Sequence, residues 1–154
     1  MTVGLHPVAG TVREVLAQLQ SWVLDGGEPI ELHTSGSTGA PKLIRLPHSA
    51  MVASAKAAID RLGGPGQWLL ALPVTGVGGL QVLVRSVLAG REPVFLAEHA
   101  SLAEAIDAMD AGRKYASFVP TQLFRLLRDG QGDQLARLDA ILIGGAATSQ
   151  AVID

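Results

Sequence analysis

Four very short segments, residues 68–71, 94–96, 117–119 and 140–143, are apolar at nearly every position, and stretches of helical spacing lie between them. A strand with one wet face alternates apolar and polar residues, because successive side chains point to opposite sides. A strand that is apolar on both sides needs cover on both, and helices provide that cover in parallel sheets. The pattern therefore restricts the chain to an α/β fold: a mainly parallel sheet flanked by helices. Residues 80–88 sharpen the constraint. Leu80, Val82, Leu83, Val84, Val87 and Leu88 surround most of a helix, which is expected inside the body rather than on its surface.

Local signals set the helix limits. Thr11 and Glu14 form a capping-box pair, after which Val12, Val15, Leu16, Leu19, Trp22 and Val23 recur on one face until Gly26 and Gly27. A second helix is expected from about residue 49 to 62, stopped by Gly63, Gly64 and Pro65. Ser101 and Glu104 open another, expected to end near Gly112. Pro120 opens a further helix whose buried side is expected to be Leu123, Phe124, Leu126 and Leu127. Near the end, Thr148 or Ser149 resembles an N-cap with only five residues after Ser149. So short a helix is marginal by itself. The chain is therefore expected to be part of a longer protein, to leave apolar surface open, and to self-associate.

Composition removes several classes. The 154 residues carry 12 Lys+Arg against 14 Asp+Glu, a net charge of −2, with no basic cluster, so nucleic acid is not an expected partner. The absence of cysteine excludes disulfides, thiolate metal sites and thiol nucleophiles. The N-terminus lacks a basic region followed by an apolar run. The longest uncharged stretch, residues 62–84, is long enough for a membrane span but is interrupted by glycine, proline and glutamine. A cytoplasmic protein without a membrane span is expected.

The chemistry concentrates in Thr34, Ser35, Gly36, Ser37, Thr38, Gly39, Ala40, Pro41 and Lys42, between expected strands at 30–33 and 43–46. Glycines let backbone N–H groups approach an anion, hydroxyls add donors, and lysine supplies a compact positive charge. Such a loop suits a polyphosphate. By composition alone it equally suits an ordinary polar hairpin. It is not a Walker A loop: Ala40 and Pro41 separate Gly39 from Lys42, and a strand follows rather than a helix.

The string Thr-Ser-Gly-Ser-Thr-Gly-x-Pro-Lys resembles, at all nine positions, the phosphate-loop signature of the adenylate-forming superfamily of acyl- and aryl-CoA ligases, luciferases and peptide-synthetase adenylation domains. Other segments agree in order and spacing. Leu72-Pro73 through Gly79-Leu80 is similar to the family's acyl-pocket region, with Gly76 where relatives carry a histidine. Val119-Pro120-Thr121 is similar to its strand-to-helix segment, and Leu142-Ile143-Gly144-Gly145-Ala146 to its Gly-Gly-Ala turn. Residues 79–86 and 119–123 most resemble the short-form o-succinylbenzoate–CoA ligases of menaquinone biosynthesis.

The resemblance implies an ATP-dependent acid–CoA ligase. A carboxylate and ATP would give an acyl-adenylate and pyrophosphate, and CoA would then displace AMP. It implies ATP, Mg²⁺ and CoA as cofactors and a small carboxylate as substrate. Thr34, Ser35, Gly36, Ser37, Thr38, Gly39 and Lys42 would bind the phosphates; Gly144, Gly145 and Ala146 would lie against adenine and acyl group, where a larger side chain would intrude. Thr75, Gly76, Val77, Gly78 and Gly79 would line the acyl pocket. The chain would form part of an N-terminal AMP-binding domain. The family's Tyr-Gly-x-Thr-Glu segment, its ribose-binding Asp and its C-terminal Lys have no counterpart here. No catalytic residue or metal ligand is therefore assigned, and the chain alone is expected not to turn over. A ligase for another aryl or fatty acid, or a non-catalytic nucleotide-binding scaffold, remain the alternatives.

The other polar residues receive modest assignments. His6, His33, His48 and His99 show no metal-ligand spacing, and His48 is expected to mark a helix entry. Glu104, Asp107 and Asp110 are expected on a solvated face. Arg85, Arg125 and Arg128 are expected at the surface, although each has the charge to guide CoA phosphates or an acidic substrate.

Overall fold

The computed structural model describes residues 10–35, 40–110 and 112–144. Its elements run α1 (Val12–Asp25), β1 (Ile30–Ser35), β2 (Pro41–Leu46), α2 (His48–Arg61), β3 (Gln67–Leu70), α3 (Val77–Ala89) and β4 (Val94–Phe95). After a 3₁₀ turn at Leu96–Glu98 come α4 (Leu102–Asp107), β5 (Lys114–Phe118), α5 (Pro120–Arg128), α6 (Gly132–Leu135) and β6 (Ala140–Ile143). The strands β1 and β2 form an antiparallel hairpin. The other four form a parallel sheet in the order β4-β3-β5-β6.

Alternation along each parallel strand divides the core in two. Trp68 and Leu70 of β3 and Tyr115 of β5 face α1, α2 and α3; Leu69, Ala116 and Phe118 join Leu102, Ile106, Leu123 and Leu135 on the opposite side. This two-sided cover explains why the strands are apolar throughout. Helix α3 packs against α1, α2, β3 and β5. Every residue from Gly79 to Ser86 is buried, as its apolar circumference predicts.

The stop signals operate as expected. Thr11 Oγ1 accepts the Glu14 N–H, and Glu14 Oε2 accepts the Thr11 N–H. Gly63 and Gly64 end α2 with φ of 91° and 130°, a region that penalises any side chain. The Tyr115 hydroxyl lies 2.9 Å from Gly64 O and 3.2 Å from Leu62 O, fastening that turn to the sheet.

Two expectations fail. The helix opened by Ser101 ends at Asp107 rather than near Gly112. The Gln67 side chain, 43 residues distant, accepts the Asp110 N–H at 2.6 Å and draws the chain away from the helical path. On α5, Leu123 is buried, but Phe124 and Leu127 are 52% and 38% exposed. Only one side of this nine-residue helix meets the sheet, and these two residues lie outside that arc. The short helix α6 lies outside the expected elements and has no side-chain cap bond. Among the described residues no helix is long and apolar enough to cross a membrane.

The two classes of leucine and phenylalanine position should differ sharply. Leu83→Ala in buried α3 is expected to cost about 2–5 kcal/mol of stability, whereas Phe124→Ala should stay within about 1 kcal/mol. Denaturant midpoints of the two variants test the difference. Equal losses would contradict the placement of these helices.

Candidate functional site

The hairpin register pairs Ile30 with Leu46, Leu32 with Ile44, Thr34 with Lys42 and Ser35 with Pro41. Residues opposite one another share a face, so Lys42, in step with Ile44 and Leu46, falls on the side of Ile30 and Leu32, which are buried in the core. Lys42 lies beyond the end of that core and is exposed. Gly36, Ser37, Thr38 and Gly39 lie outside the described residues, as do Gly145, Ala146, His6 and the expected cap at Thr148 or Ser149.

One tryptophan secures both stems of this hairpin. The Trp22 indole N–H donates to Glu28 O at 2.9 Å, just ahead of β1. Its ring meets His48 edge-on, with centroids 5.0 Å apart, just after β2. The His48 Nε2 is 3.0 Å from Val23 O, and a carbonyl can only accept, so that nitrogen carries the proton. His48 is thus the expected helix entry, and it also ties α2 to the end of α1. His33 is exposed and His99 half-buried.

The expected acyl loop leaves the C-terminal end of β3. Gly76 is the extended N-cap of α3, and Thr75 is exposed. A Cβ at Gly79 would sit 2.2 Å from Pro73 O and 2.7 Å from its carbonyl carbon, so glycine is obligatory if the first turn of α3 is to lie on this loop. At Gly78 a Cβ would come within 3.0 Å of Leu72 Cδ1. An apolar groove of about 360 Å³ runs beside the loop, past Leu70, Leu72, Pro73, Phe95 and Leu96.

The strand order reverses between β3 and β5, and a crevice at the C-terminal ends of strands flanking such a reversal is the usual ligand position in open α/β sheets. Three segments meet there. The Gln122 side chain donates to Ala71 O at 2.8 Å and accepts the Val119 N–H at 3.0 Å. Gly144 N–H donates to Phe118 O at 3.2 Å. No described atom lies within 4 Å of a Cβ built on Gly144. The expected crowding there is therefore not imposed by the described residues.

Arg85 reverses its expectation. It is 9% exposed, on the second turn and a half of α3, with its guanidinium 4.8 Å above the Trp68 ring. Burial pushes its pKa below the ordinary arginine value, although the group remains a cation. No carboxylate of the described residues pairs with it. Its Nε, together with Trp68 Nε1 and Gln81 Oε1, has no hydrogen-bond partner among the described residues. Trp68 lies against Arg85, and Gln81, four residues before Arg85 on the same helix, reaches across to Met51 of α2. Arg125 and Arg128 are exposed, as expected; so are Glu104, Asp107 and Asp110.

A family model described as AMP-binding enzyme matches residues 31–154. The chain belongs to that family. Among AMP-binding enzymes it is 46% identical over 137 residues to a probable 2-succinylbenzoate–CoA ligase of Mycobacterium tuberculosis, covering 85% of this chain and 36% of that protein. It is 37% identical over 116 residues to 2-succinylbenzoate–CoA ligase of Escherichia coli, covering 74% and 24%. The chain thus spans a quarter to somewhat over a third of these relatives. In three dimensions it resembles o-succinylbenzoate coenzyme A synthetase of Bacillus subtilis in complex with AMP, with a TM-score of 0.64, 26% identity, and coverage of 80% of this chain and 26% of that one. The Escherichia coli enzyme with a bound analogue of OSB-AMS gives 0.62 and 32%, with the same coverage. The α/β fold with its parallel sheet is that of the N-terminal domains of adenylate-forming enzymes.

Sequence reasoning named Arg85 as a possible guide for an acidic substrate but missed its burial, and it missed the cross-loop bonds of Gln122. A lone arginine in an otherwise apolar helix was the available signal for the first. Gln122 had one only as the N3 partner of a helix start.

The loop geometry predicts a contrast between neighbouring glycines. Gly79→Ala is expected to cost about 1–3 kcal/mol through overpacking against Pro73. Gly76→Ala, whose Cβ has no described neighbour closer than 3.9 Å, should cost clearly less. Denaturant midpoints distinguish the two, and an inert Gly79→Ala would contradict the packing described.

Proposed function

We propose that the protein carrying this chain is an AMP-forming acid–CoA ligase whose substrate is 2-succinylbenzoate, and that the chain is part of its N-terminal adenylation domain in the cytoplasm. The carboxylate oxygen attacks the α-phosphorus of ATP and pyrophosphate leaves. The CoA thiol then attacks the acyl carbon, loses its proton and releases AMP. In this reading Thr34–Lys42 grips the β- and γ-phosphates, so that donors and the Lys42 charge meet the negative charge building on pyrophosphate. Residues 75–79 shape the acyl side, and Gly144, Gly145 and Ala146 present backbone to adenine and acyl group. Mg²⁺ and CoA belong to the same proposal. Among the described residues no group of three or more His, Asp or Glu gathers to hold a metal, so no step is assigned to Mg²⁺ here.

The observation that carries the substrate choice is Arg85. A largely buried cation with no anion among the described residues carries a desolvation cost. Stacking on Trp68 returns about 2 kcal/mol, which leaves a deficit that an arriving carboxylate would offset. A benzoate bearing a succinyl chain has two carboxylates: one becomes the adenylate, and the other keeps its charge throughout. A monocarboxylic acid has none to spare. About 9 Å of helix axis separates Gly79 from Arg85, so a second carboxylate reaching Arg85 would be recognised at a distance from the activated one.

Carboxylate-dependent exchange of pyrophosphate into ATP by the full-length gene product tests this. Arg85→Leu is expected to raise KM for 2-succinylbenzoate at least about 30-fold, with KM for ATP unchanged. Lys42→Ala should slow exchange about 10²–10³-fold. Equal exchange with benzoate and 2-succinylbenzoate, or an Arg85→Leu enzyme with native KM, would refute the substrate assignment.

A further inference from the structure

We infer that Gln122 is a positioning residue that sets the acyl loop against α5 and thereby fixes the carboxylate-binding geometry. The inference rests on the reading of residues 75–79 as the acyl side of the site. Gln122 lies in the first turn of α5, half-buried at the strand-order reversal. Its carboxamide is used at both ends. Oε1 accepts the Val119 N–H at 3.0 Å, satisfying a donor ahead of the helix. Nε2 donates to Ala71 O at 2.8 Å, across 51 residues of sequence, at the point where β3 becomes the loop. The Ala71 carbonyl lies past the last ladder pair of β3, Leu70 with Ser117.

From there the chain runs through Pro73 to Gly76, where the contact of Gly79 on the Pro73 carbonyl holds it from the other side. The loop is therefore fixed at two points, one a polar bond and one a steric contact. Only a side chain that both donates and accepts at this length can make the polar one. A carboxylate accepts from Val119 but offers Ala71 O no proton and repels it; a leucine serves neither group. Gln122→Glu thus breaks the cross-loop bond while it keeps the helix cap, and separates positioning from simple helix stability.

The test uses the full-length gene product. Gln122→Glu is expected to raise KM for the carboxylate about tenfold, with KM for ATP within twofold and thermal midpoint little changed. Thr121→Ala, an exposed neighbour, should leave all three at native values. Amide hydrogen exchange provides a readout that needs no substrate. In Gln122→Glu the amides of Leu72, Val74 and Thr75 should exchange faster than in the native protein, while those of α1 stay unchanged. If KM for the carboxylate is native, or rises in step with KM for ATP, the inference is overturned. If the native enzyme does not use 2-succinylbenzoate, the substrate reading fails by itself. Exchange then decides: faster exchange confined to the loop supports the positioning bond, and unchanged exchange there overturns it.

Discussion

A helix enclosed on every side cannot leave polar groups to water, and α3 is such a helix. It lies between α1, α2 and the sheet, and it carries Gln81, Arg85 and Ser86 into that interior. Ser86 solves its problem locally, its hydroxyl donating to Val82 O at 2.8 Å. The Gln81 amide reaches Met51 O at 3.4 Å, a long bond. What remains without a partner among the described residues is the Gln81 oxygen, the Arg85 Nε and the Trp68 indole nitrogen. Unsatisfied buried polar atoms are expensive. Two of them lie on α3, the helix whose first turn packs on the Pro73 loop, and the third faces it from β3.

The two regions proposed to meet the substrates are held by different means. The hairpin that contains Thr34 and Lys42 rests on Ile30 and Leu32 in the core and is gripped at both stems by Trp22, through Glu28 O and His48. The acyl loop is fixed instead by contact of Gly79 with Pro73 and by Gln122. The hairpin and the loop of residues 71–79 therefore have separate supports.

Features decided by a few adjacent residues were legible in the sequence. Left-handed glycines after α2, the Thr11–Glu14 box and the doubly apolar strands all follow from local sterics and periodicity. Family membership was legible for the same reason: the string that carries the resemblance lies within nine consecutive residues, and the family match spans residues 31–154. Features set across the fold were not. The end of α4 depends on Gln67, and the azimuth of Phe124 on which side of α5 meets the sheet. Arg85 has the composition of a surface residue and the location of a core one, because its neighbours on α3 come from three other elements. The Gln122 bond to Ala71 is likewise invisible until the strand order places β3 beside β5.

The most direct test is a crystal structure of the full-length protein with a non-hydrolysable adenylate analogue of 2-succinylbenzoate. The free carboxylate of the ligand is expected within hydrogen-bond distance of the Arg85 guanidinium, with its phosphate mimic on the Thr34–Lys42 hairpin. An Arg85 still stacked on Trp68, with that carboxylate bound elsewhere, would contradict the proposed site.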